Sequence, residues 1–199
     1  MGNREDLLAG AKRCLYEKGY ARTTARDIAT AAGVSLAAIG YHFRSKEVLL
    51  NTALHQAMQE WGEEIERALS ADTDPGTTPA QRFETTWDRV IASFAAHRAI
   101  WVTQFELIAQ IDRLPEMREQ FVASMNAARL GLMEMFQLAG VKAEGEDRAR
   151  VVGSFYQTML GGVLVQWLVD PEHAPTGRDM AEALRIIAGD IDADPAGRD

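Results

Sequence analysis

The sequence predicts an all-α protein, with an N-terminal three-helix unit joined by a long helix to a larger helical domain. Apolar residues recur at three- and four-residue spacing along nearly the whole chain. Helix-capping residues and glycine stops separate these periodic stretches. No segment alternates apolar with polar residues as a half-buried strand does.

The first helix is expected from about Arg4 to Lys18, capped by Asn3. Leu7, Leu8, Ala11, Cys14 and Leu15 form its apolar stripe, and Gly19 supplies a left-handed stop. The second follows Thr24, with Asp27 three residues on to complete a capping box and Gly33 to end it. Ser35 is placed to cap a short third helix, Leu36 to about His42, and Ser45 to cap a long fourth from Lys46. Asp72 to Thr77 reads as a loop. Thr78-Pro79, with Gln81, restarts a helix to about His97. Further helices are expected over Ala99–Ile111, Pro115–Ala139 with a stop at Gly140, and about Glu146–Val169. Thr176 and Asp179 open a last helix to Ile191, and 192–199 read as a disordered tail.

With 199 residues, 47% of them hydrophobic, the chain can bury a sizeable core. A fold of ~150 residues already buries roughly 70% of its chain surface. Apolar runs such as Leu160 to Val165 are far short of the ~20 residues of a membrane span. The opening Met-Gly-Asn-Arg-Glu-Asp has no apolar signal region, so the cytoplasm is the expected compartment. The single cysteine, Cys14, excludes an internal disulfide and reads as a small buried hydrophobe. No metal or other cofactor is expected. The formal net charge of −8 hides an asymmetry. Residues 1–46 carry 8 Lys and Arg against 4 Asp and Glu, while residues 47–199 carry 13 against 25. A basic head on an acidic body points to a polyanion at one end only.

The stretch from Thr23 to Leu50 explains that head. Two short helices about the tight turn at Gly33 make a helix-turn-helix, whose second helix enters the major groove of DNA. Ala29 lets the helices cross closely, and Val34 and Ile39 plug the space between them.

Gly19-Tyr20, Thr23-Thr24, Asp27-Ile28-Ala29, Ala32-Gly33-Val34-Ser35, Tyr41-His42-Phe43 and Ser45-Lys46-Glu47-x-Leu49 resemble the N-terminal signature of TetR-family transcriptional regulators. The resemblance covers about residues 3–60. It implies residues 1–46, with the start of the fourth helix to about 60, as the DNA-binding domain, and 47–191 as a ligand-binding and dimerisation domain. The implied partners are a palindromic double-stranded operator, a second copy of the chain and a small-molecule effector that releases DNA; no membrane is involved. Thr24, Ser35, Tyr41, His42 and Lys46 match positions that grip phosphates, and Leu36, Ala37, Ala38 and Gly40 match the exposed face of the recognition helix. Lys46 stands in a first helical turn, where the dipole disfavours a cation and an external anion explains it better than folding does.

Leu36, Ala37 and Gly40 depart from the family's commonest pattern, and none of the four face residues carries a side-chain donor. Direct base reading is therefore expected to be sparse, left to thymine-methyl contact and to Thr24, Arg26, Tyr41 and His42. Phosphate contacts and DNA shape are expected to supply most of the affinity.

Aromatic stripes at Phe83, Trp87, Ile91 and Phe94, at Trp101, Phe105 and Ile108, and at Phe121, Met125, Leu132 and Phe136 are mostly ordinary core. Polar residues beside them suggest a small-molecule cavity. Its candidate lining is Trp87, Trp101, Gln104, Phe105, Asn126, Arg129, Met133 and Tyr156. The helix over 146–169 has too broad an apolar surface to bury one face alone. Phe155, Met159, Gly162, Val163 and Trp167, with Leu184 and Ile187 of the last helix, are its expected dimer contacts. A regulator answering to a protein partner, or unregulated, is the alternative. An enzyme is disfavoured: His42, His55, His97 and His173 are scattered, and Glu106 is a lone carboxylate for the stripes to bury.

Overall fold

The computed structural model describes residues 3–70, 76–113, 115–138 and 145–192. Residues 71–75 of the expected loop, the stop at Gly140 and tail residues 193–199 lie outside the described residues. The elements are α1 (Asn3–Lys18), α2 (Ala25–Ala32), α3 (Ala37–Phe43), α4 (Lys46–Ser70), α5 (Pro79–Ser93), α6 (Arg98–Ile108), α7 (Pro115–Leu138), α8 (Glu146–Val169) and α9 (Gly177–Asp192), with a 3-10 turn at Ile111–Arg113. No strand occurs among the described residues, and no helix there is long and apolar enough to cross a membrane. The all-helical architecture is the one expected.

The chain divides into two compact units. The first comprises Met1–Glu64 and Ala95–Ser124. Leu7, Ala11 and Leu15 of α1 and Ile28 of α2 meet Leu49, Leu50 and Ala53 of α4 in its core. Gly10 permits the α1–α2 crossing: a Cβ there would stand 2.9 Å from the Ala32 nitrogen. Ile100 and Leu107 of α6 complete this core, so α6 belongs here although the sequence boundary assigned 47–191 to the other domain. Periodicity marks α6 as amphipathic but does not say which core receives its apolar face. Tyr16 and Glu64 hold the two ring nitrogens of His97 at 2.9 and 3.2 Å, tying α1 and α4 to the start of α6.

The second unit comprises Ile65–Phe94 and Met125–Asp199. Its aromatic core joins Phe83 and Trp87 of α5 to Phe136 of α7 and Tyr156 of α8. Close backbone approach locks two pairs of helices. A Cβ at Gly153 would fall 2.3 Å from the Arg129 carbonyl oxygen, and one at Gly177 only 2.0 Å from that of Glu84.

Several boundaries differ from the sequence reading. Asn3 is itself the first described residue of α1. The N-cap of α3 is Leu36, already helical and without a side-chain cap bond, so Ser35 does not cap this helix. α5 ends at Ser93 rather than about His97 because Phe94 N–H turns inward to the Ile91 carbonyl, 3.1 Å away. Glu106 is exposed, not buried.

Candidate nucleic-acid interface

The interface begins with local hydrogen bonding before α2. Thr24 Oγ1 accepts from the Asp27 amide at 3.2 Å while Asp27 Oδ2 accepts from the Thr24 amide at 2.9 Å, closing the capping box. Lys18 Nζ donates to Asp27 Oδ1 at 2.6 Å. The lysine bond, then those from Thr24, hold the Asp27 carboxyl well below the usual carboxylate range. Gly33 takes φ +68°, cheap only for glycine, so that its own amide and that of Val34 cap α2 on Thr30 and Ala29. The chain thereby reverses into α3.

Ala38, Ile39 and Phe43 of α3 are buried against this core. Leu36, Ala37, Gly40 and Tyr41 are exposed and lie at the i, i+4 spacing of one helical face. The structure therefore corrects one face residue: Ala38 points inward, at the spacing of the buried Ile39 and Phe43 side. Tyr41 is 85% exposed and packs edge-on to His42, ring centroids 4.8 Å apart. Thr24, Arg26 and Ser35 are exposed at the same end of the unit's sequence. Lys46 departs from the dipole reasoning, because its Nζ donates to the Thr23 carbonyl at 3.1 Å and lies 3.6 Å from Glu47. It thus has a folding role, joining the start of α4 to the turn before α2.

Arg44, which sequence reasoning passed over, closes α3 with φ +66° and ψ −44°. Its neighbours bond across it, Ser45 N–H to the Phe43 carbonyl at 2.8 Å. A composition-based reading has no signal for such a turn, since its usual marker is glycine.

The candidate effector residues fall into both units. Trp101, Gln104 and Phe105 belong to the first, where Trp101 sits edge-on to Trp61 at 4.8 Å. In the second, Trp87, Met133 and Tyr156 are buried, and Phe136 stacks on Tyr156 at 3.9 Å. Burial pushes the Tyr156 phenol up to about 12. Trp87 Nε1 is buried with no hydrogen-bond partner among the described residues. Asn126 is exposed and accepts from Arg129, which also donates to Gln157 at 3.0 Å. A separate groove of about 420 Å³, polar rather than aromatic, is lined by Gly76, Thr77, Gln81, Glu84, Thr85 and Asp88.

Of the expected dimer contacts, Val163 is buried within its own chain and Trp167 packs on Phe94 at 5.7 Å. Val163 is therefore not available as a dimer contact, because one face of α8 is already occupied. Phe155, Gly162 and Ile187 are exposed, and Met159 and Leu184 are half-buried.

Comparison with known proteins agrees with this arrangement. Residues 7–53 match the family described as bacterial regulatory proteins, tetR family, and residues 78–191 match the tetracyclin repressor-like C-terminal domain. The HTH-type transcriptional repressor BepR of Brucella suis biovar 1 is 27% identical over 195 residues, covering 93% of this chain and 88% of BepR. A Mesorhizobium loti protein, described as a candidate TetR-family transcriptional regulator, superimposes with TM-score 0.69 at 18% identity over 93% of this chain and 96% of its own. SmeT, repressor of the Stenotrophomonas maltophilia multidrug efflux pump SmeDEF, does so with TM-score 0.55 at 25% identity, covering 93% and 89%. With family matches over both halves and a helix-turn-helix at its N-terminus, the chain belongs to the TetR family of bacterial DNA-binding transcriptional regulators.

Proposed function

We propose that the chain is a homodimeric repressor that binds a palindromic operator through paired α3 helices and leaves it when a small molecule occupies its second unit. The observation that carries the DNA half is the exposed face of Leu36, Ala37, Gly40 and Tyr41 on a helix otherwise anchored in the core. With Thr24, Arg26, Ser35, His42 and Lys46 around it, this face contacts phosphates more than base edges. Repression is favoured by the likeness to BepR and SmeT, both named as repressors. As a reader of bacterial DNA it works in the cytoplasm.

The effector half draws support from the buried Trp87 N–H, which lacks an acceptor among the described residues. Leaving such a donor unpaired costs about 1–3 kcal/mol, and an apolar ligand carrying an oxygen acceptor recovers it. Trp87, Met133 and Tyr156 are its proposed contacts, with Arg129 and Asn126 at the rim. Selection of bound duplexes from a random pool tests the first half, and recovery of a two-fold symmetric site is the expected result. Adding a panel of neutral aromatic compounds to that complex tests the second: at least one should release the duplex and quench tryptophan emission.

A further inference from the structure

We propose that Arg44 is a phosphate anchor, presented to the DNA backbone by a strained turn at the end of the recognition helix. This extends the reading of α3 as the DNA-contacting helix and depends on it. At φ +66° and ψ −44°, with Ser45 N–H bonded to the Phe43 carbonyl at 2.8 Å, Arg44 is the centre of a three-residue γ-turn of the positive-φ hand. That turn is rare and strained for any residue with a side chain, and glycine enters it freely. Among the described residues Arg44 is the one non-glycine at positive φ. Stability alone therefore favours glycine here, and an arginine held against that preference points to a use for its side chain.

Among the described residues the Arg44 guanidinium is uncommitted. Lys12, Lys18 and Lys46 are engaged with Glu60, Asp27 and the Thr23 carbonyl. Arg13 and Arg22 donate to the carbonyls of Ala31 and Lys18, and Arg4 lies 5.2 Å over the Phe43 ring. Arg44 is exposed, and no such partner engages it among the described residues. It directly follows α3, whose exposed residues Ala37, Gly40 and Tyr41, with the N-cap Leu36, carry no charge. Recognition helices touch base edges with their first residues, which leaves a cation just past the last turn facing the sugar–phosphate strand.

The test compares wild type, Arg44→Gly and Arg44→Lys on an operator duplex selected from a random pool and on a scrambled duplex, each over a salt series. Arg44→Gly should melt no lower than wild type, yet bind both duplexes about tenfold more weakly at low salt. Its slope of log affinity against log salt should shrink by about 0.9 for each phosphate that is no longer neutralised, while Arg44→Lys keeps the wild-type slope. If Arg44→Gly retains wild-type affinity and slope, or loses affinity only at sites with one particular guanine, the assignment is overturned. Wild type binding neither duplex overturns the DNA reading together with it, whereas wild type binding both beside an indifferent Arg44→Gly overturns this assignment alone.

Discussion

Thr24 and Asp27 are held to one another by reciprocal bonds, so the start of α2 depends on both. Thr24→Ala removes the N-cap acceptor and should cost about 1 kcal/mol, read as a lower denaturation midpoint. The Asp27 carboxyl sits below its ordinary value because its charged form accepts from Lys18 and Thr24. A depressed carboxyl lends stability that is complete above the unfolded value, about 3.9, and disappears as pH falls through the folded value. Asp27→Asn should therefore be less stable than wild type near neutrality and flatten the loss of stability below about pH 4. Thermal melts from pH 7 to pH 2 would show it, and parallel curves for the two proteins would refute it. Tyr41 is the opposite case, since 85% exposure means the fold barely uses it. Tyr41→Ala should shift stability by no more than about 0.5 kcal/mol, as surface changes do. Duplex affinity should nonetheless fall several-fold in a gel-shift titration; loss of both properties together would mark Tyr41 as structural.

Helices here are fixed by close crossings as much as by apolar stripes. Gly10 of α1 lies against Ala32, and Gly153 of α8 against the Arg129 backbone, which no rotamer change can clear. Gly153→Ala must therefore push α7 and α8 apart and should cost at least about 1–3 kcal/mol, measured by urea denaturation. Gly131→Ala on α7, where a Cβ meets nothing among the described residues, is the matched control and should be neutral or stabilising. These crossings also show what the sequence could reveal. The capping boxes at Thr24, Thr78 and Thr176 were legible because each lies within four residues and obeys local chemistry. The exposed spacing of Leu36, Gly40 and Tyr41 was legible for the same reason. The inward turn of Ala38, the burial of Val163 and the placing of α6 with α1 were not, because each depends on a neighbour far along the chain. The γ-turn at Arg44 was hidden for another reason: it breaks the residue preference by which turns are recognised.

At the scale of the molecule, α8 and α9 leave several large apolar side chains open to water. Phe155, Val165 and Val169 on α8 and Ile186, Ile187 and Ile191 on α9 are all exposed in the second unit, Val169 by 81%. Large apolar side chains exposed on two helices are what a partner surface would cover. A Cβ at Gly161 or Gly162 would meet nothing among the described residues, so packing there does not explain these mid-helix glycines, each worth roughly 1 kcal/mol against alanine. A second copy laid along α8 and α9 would explain both the glycines and the exposed isoleucines. Ile187→Glu introduces a charge at a position the single chain leaves open to water, so each chain should still fold. Light scattering should then report a monomer. Duplex affinity should drop by about 10²-fold or more, because two tethered recognition helices bind as one bivalent unit and separated ones do not. Wild-type melting should rise with protein concentration while that of Ile187→Glu stays constant, since association with a second folded copy stabilises only a chain that can dimerise. An Ile187→Glu protein that scatters as a dimer would place the interface on another surface.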